Sequence, residues 1–200
     1  TVHLPYRQVL SFLLFFILKN VDFKQNMGFK GSFNRNYLRM KNNYSRLQLT
    51  MLVILRFLIG WHIFYEGFAK LINPQWSSAQ FLNESQWILS GLAGWITSNS
   101  GVLATVDFLN TWGLIAIGLG ILLGLYATVA SIAGALLVLV YYLNSPPLIG
   151  IEYTLPVEGS NLIVNKTLIE ACALCILALF PTSYTFGLDA FRVKKRKHKK

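Results

Sequence analysis

Apolar residues gather into four long stretches, and the polar or helix-breaking positions between them set the boundaries of the predicted elements. The first runs from Leu49 to Ile72, LTMLVILRFLIGWHIFYEGFAKLI. About 20 predominantly apolar residues suffice to cross the hydrocarbon core. Asn73 and Pro74 end it, because proline cannot continue the helical hydrogen-bond ladder. Val106 to Tyr126 and Ala127 to Leu143 form the second and third spans, separated by a very short turn, and Lys166 to Phe180 the fourth, closed by Pro181. Gly113, Gly118, Gly120 and Gly124 in the second, with Ser131, Ala133, Gly134 and Ala135 in the third, allow close helix approach. Between the first two spans, Gln75 to Thr105 carries Trp76, Trp87 and Trp95. Within it, Phe81, Trp87, Ile88, Leu92 and Trp95 recur at helical spacing over Ala79 to Thr97. Tryptophan favours the headgroup level, so this segment reads as an interfacial helix forming a lid, or as a helix that only fills space. Asn144 to Asn165, with Pro146, Pro147 and Pro156, reads as irregular. The expectation is all-α: an integral membrane four-helix bundle with an interfacial helix in its first outer loop.

Composition agrees with that pattern. The 200 residues are 54% hydrophobic and 14% aromatic, with a mean hydropathy of +0.49, too apolar for a soluble domain. The formal charge of +10 sits at the two ends, with eight of the 18 Lys and Arg before Leu49 and seven after Phe191. Cations flanking the first and last spans put both termini in the cytoplasm and make membrane lipid the first partner. The same rule accounts for RVKKRKHKK at residues 192–200 better than nucleic-acid binding does. Residues 1–39 differ from the rest: the apolar run Val9 to Leu18 is too short to span, and no small-residue cleavage site follows it. Met40 is the expected natural start and residues 1–39 a non-native or disordered extension, leaving a membrane domain over 40–191 and a basic tail over 192–200.

Ionisable residues inside a span are costly and mark function by default. Arg56, His62, Glu66 and Lys70 fall on about a third of the first helix's circumference, with His62, Glu66 and Lys70 at successive i,i+4 steps. Asp107 stands at the mouth of the second span, and Glu170 about one turn into the fourth. A structural account competes, in which Lys70 and Arg56 mark the two membrane boundaries and Glu66 only neutralises Lys70. Cys172 and Cys175 share the CxxC spacing of thiol oxidoreductases, yet an apolar helix suppresses thiolate and i,i+3 in a regular helix holds the Cβ atoms somewhat too far apart for an unstrained bridge. Buried packing residues are the alternative. No zinc, haem or iron–sulfur ligand set is visible, and no metal is assigned.

The run LRFLIGWHIFYEGFAKLINPQWSSAQFL, followed by TWGLIAIGLGILLGLYATVASIAGALLVLVYYL and FGLDAF, resembles the DoxX and DoxD membrane proteins over Leu55 to Phe191, and DoxD more closely. Arg56, Gly67, Lys70, Trp112, Gly113 and Asp189 match positions of that pattern. The resemblance implies a four-helix inner-membrane subunit of a thiosulfate:quinone oxidoreductase, passing electrons from a reduced sulfur compound to quinone beside a second redox subunit, with a homo-oligomer also open. Arg56 and Lys70 would then supply positive charge, Glu66 and His62 would move protons, and Trp61, Asp107, Trp112 and Glu170 would line the quinone pocket. A non-catalytic scaffold that docks partners through its charged first helix is the competing function, and a small-solute transporter a weaker one.

Overall fold

In the computed structural model, residues 44–86, 88–147 and 163–190 are described. Residues 1–39, 192–200 and most of the irregular stretch Asn144 to Asn165, and the expectations placed on them, lie outside these, as does Trp87. Residues 1–45 and 46–200 form two separate units, of which the second carries every element below. Among the described residues there are helices and no strand. These are α1 (Arg46–Ile72), α2 (Ala79–Asn83), α3 (Ser90–Ser98), α4 (Ser100–Leu123), α5 (Ala127–Asn144) and α6 (Lys166–Leu179), followed by a 3₁₀ turn over Thr182–Tyr184. Three of them, α1, α4 and α5, are long and apolar enough to cross a membrane. With 14 residues α6 is shorter, about 21 Å of helix.

Glycine decides which helices press together. A Cβ on Gly67 would sit 2.8 Å from the Ile115 backbone nitrogen, one on Gly60 3.0 Å from that of Leu122, and one on Gly118 would fall on the backbone of Phe64. The α1 and α4 backbones therefore touch at three levels, the close approach that small residues permit in membrane helices. On the other side α5 packs along α6, with Gly134 receiving the Leu174 side chain. Ile63, Leu114, Ile121, Val138 and Leu174 fill the space among the four helices.

Several boundaries depart from the sequence reading: α1 starts at Arg46 instead of Leu49, and α4 ends at Leu123 instead of Tyr126. The α4 helix begins at Ser100, not at Val106, because Asn99 in an extended conformation already releases the preceding helix. The lid is broken: α2 ends at Asn83 and α3 starts at Ser90, where one helix was expected over Ala79 to Thr97. The reason is a competing donor. Asn144, buried at the end of α5, donates from Nδ2 to the Phe81 carbonyl at 2.9 Å, and the Ser85 amide turns to Leu82 instead.

Candidate functional site

The charged stripe of α1 divides into three stations. Arg56 and Lys70 lie 14 residues apart, about 21 Å along the axis, too far to act on one small ligand. Arg56 sits level with the turn joining α4 to α5 and is 6% exposed. Its Nη1 donates to Thr182 Oγ1 at 3.0 Å and its Nη2 to the Phe186 carbonyl. Asp189, equally buried, lies within electrostatic reach. The turn itself ends α4 with a left-handed Gly124, whose amide bonds Ile121 while Leu125 bonds Gly120, a Schellman closure. Tyr126 follows, also left-handed at φ 50°, and the Asp189 carboxylate accepts from the Tyr126 and Ala127 amides at 3.0 and 3.3 Å. These are the open donors at the start of α5, so Asp189 caps that helix from a distant part of the chain. Both ends of Arg56's hydrogen bonding are thus committed to fold closure.

The second station is the end of α1 nearest α2. Lys70 Nζ lies 3.5 Å from Asn110 Oδ1, 4.9 Å from the centroid of the Trp76 ring and 5.5 Å from that of Tyr141. Tyr141 donates its hydroxyl to the same Asn110 oxygen at 2.6 Å and meets Phe81 edge-on. Glu66 is within electrostatic reach of both Lys70 and Tyr141. Groups from α1, α4 and α5 therefore converge beneath the segment leading to α2. Asp107 pins that segment: Ser77 Oγ donates to Oδ2 at 2.8 Å, and the Ser78 amide to Oδ1 at 2.9 Å with the Ser78 hydroxyl beside it. Asp107 is thus an anchor for the cover, not a lining group of the Lys70 station. Asn110 and Tyr141 were missed in the sequence, where neither carries a motif.

The third station lies between α1 and α6. His62 Nε2 stands 3.7 Å from Glu170 Oε2, with Glu66 also near. Trp61 and Trp112 do not line any of these stations. Trp61 is 56% exposed and stacks on Tyr65, and Trp112 is 48% exposed against Phe108, so both turn outward. Cys172 and Cys175 are free and exposed on the outer face of α6, which corrects their reading as buried packing residues: Ala171 and Leu174 take the inward positions. Among the described residues no three His, Cys, Asp or Glu side chains come together as a metal site.

Compared with protein-family models, with curated proteins and with solved structures, the chain gives no match in any of the three.

Proposed function

We propose that the chain is a multi-pass membrane subunit of the DoxX and DoxD kind, serving a redox complex that passes electrons from a reduced sulfur compound such as thiosulfate to membrane quinone. In this reading α1, α4, α5 and α6 make a four-helix bundle in a bacterial inner membrane, with both termini cytoplasmic and a second subunit handling the sulfur donor. The observation that carries it is the convergence of Lys70, Asn110 and Tyr141 from three helices beside the Trp76 ring. A fixed cation, a hydrogen-bonding pair and a flat aromatic face suit a planar carbonyl headgroup whose oxygen gains negative charge on reduction. Lys70 would stabilise that oxygen, while Glu66 and His62 would supply protons. Arg56 has no part in this chemistry and acts on the fold.

Thiosulfate-dependent reduction of a quinone analogue by membranes containing the protein tests the reading, against membranes carrying Lys70→Met at equal expression. Turnover in the first and its loss in the second support it. Equal turnover removes Lys70 from the site, and no turnover with any sulfur donor favours the second reading, a non-catalytic scaffold. That reading draws on the outward His62, whose side chain is 54% exposed at membrane depth and would suit a partner helix.

A further inference from the structure

The helices α1, α4, α5 and α6 are not equally joined. Backbone contact at Gly60, Gly67 and Gly118 welds α1 to α4, and α5 lies close along α6, but α1 and α6 meet only sparsely. No glycine of α1 faces α6, since Gly60 and Gly67 are both occupied by α4. Polar groups bridge this seam where apolar packing would be expected. His62 and Glu66 are exposed on the α1 side, and Glu170 on the α6 side has 19% of its side chain exposed. The ionisable groups facing Glu170 are His62 and Glu66 from α1 and Lys166 from its own helix. The 3.7 Å contact with His62 is longer than a hydrogen bond, and Glu170 Oε1 is buried with no hydrogen-bond partner among the described residues. A carboxyl oxygen left so at membrane depth is costly unless something else meets it. Directly along α1 from His62, one and two turns on, are Glu66 and Lys70, the latter already in the Asn110 and Tyr141 cluster.

We propose that the seam between α1 and α6 is a lateral portal to the bilayer, in which a lipid-soluble molecule with a hydrogen-bonding headgroup meets Glu170 and His62 on its way to the Lys70 cluster. The ligand class rests on the quinone reading above; the openness of the seam does not. A quinone carries its long apolar tail in the lipid, so a sideways route spares that tail from passing through water or the lid. His62 acts as a latch: it spans the seam without closing it, and its removal widens access to Glu170.

The test uses the full chain in lipid vesicles and dicyclohexylcarbodiimide, a lipid-soluble reagent that modifies carboxyl groups reached from the bilayer, with the site assigned by peptide mass and by loss of label in Glu170→Gln. Expected are modification of Glu170, much slower modification by a water-soluble carbodiimide, several-fold protection by excess decyl-tailed benzoquinone, and several-fold faster labelling in His62→Ala. No modification of Glu170 by the lipid-soluble reagent, or equal rates with the water-soluble one, overturns the portal. Retention of the benzoquinone by the same vesicles is measured in parallel. If the protein retains it and Glu170 gains no protection, the portal is overturned and the quinone reading stands. If it retains none, the quinone reading falls, while lipid-selective labelling of Glu170 still upholds the open seam.

Discussion

Arg56 illustrates how a residue's setting overrides its type. In the sequence it is a cation in an apolar helix and reads as a substrate group, because its partners Thr182 and Phe186 lie 126 and 130 positions away. Nothing local announces them. Removing one partner from a buried, hydrogen-bonded charge network costs about 3–5 kcal/mol. Arg56→Ala is therefore expected to lower the thermal unfolding temperature sharply in detergent, with little folded protein recovered. Lys70→Met should behave oppositely. Its ammonium makes one long hydrogen bond and two ring contacts, each worth at most about 1 kcal/mol, so stability should fall by no more than about 3 kcal/mol while, on the proposed reading, quinone reduction is lost. Measuring unfolding and turnover on both variants separates the fold residue from the site residue.

At the scale of elements, the apolar pattern predicted α5 and α6 to within one residue and the C-terminal end of α1 at Ile72, because membrane helices must satisfy their backbones internally and end where proline or turn residues stop them. Which glycines matter was less legible. The sequence offers four in α4, yet Gly118 meets Phe64 of α1 while nothing lies within 4 Å of a Cβ on Gly113. Only the neighbour's position distinguishes them. Gly118→Val is expected to force the two backbones apart and cost at least about 3 kcal/mol. Gly113→Ala should be neutral or stabilise by up to about 1 kcal/mol, since it only removes backbone freedom from an open helical position. Thermal unfolding of the two variants makes the comparison. The break between α2 and α3 was illegible for a similar reason, its cause being Asn144 on a later helix. Asp107 holds the same cover, and Asp107→Ala, by freeing Ser77 and Ser78, should admit protease cleavage near residues 75–80 that the native protein resists.

Across the whole molecule, the number of crossings decides which side each terminus occupies. Three helices meet the length criterion, and α6 with its flanking residues is the remaining candidate. If all four cross, single cysteines placed by Lys41→Cys and Lys199→Cys, with Cys172 and Cys175 replaced by serine, will react with an impermeant maleimide from the same side of sealed vesicles. Labelling from opposite sides would leave α6 uncrossed and would end the four-helix reading. On the proposed reading, that common side is the cytoplasm.

The cap that Asp189 places on α5 also fixes an order of events during synthesis. When the hairpin of α4 and α5 leaves the ribosome, the Tyr126 and Ala127 amides have no side-chain acceptor, and they gain it only after some sixty further residues have been translated. Arg56 waits longer still for Thr182 and Phe186. Segment 182–189 therefore completes both contacts last, and a chain that stops short of it lacks the Thr182, Phe186 and Asp189 partners that close the fold around Arg56 and the start of α5.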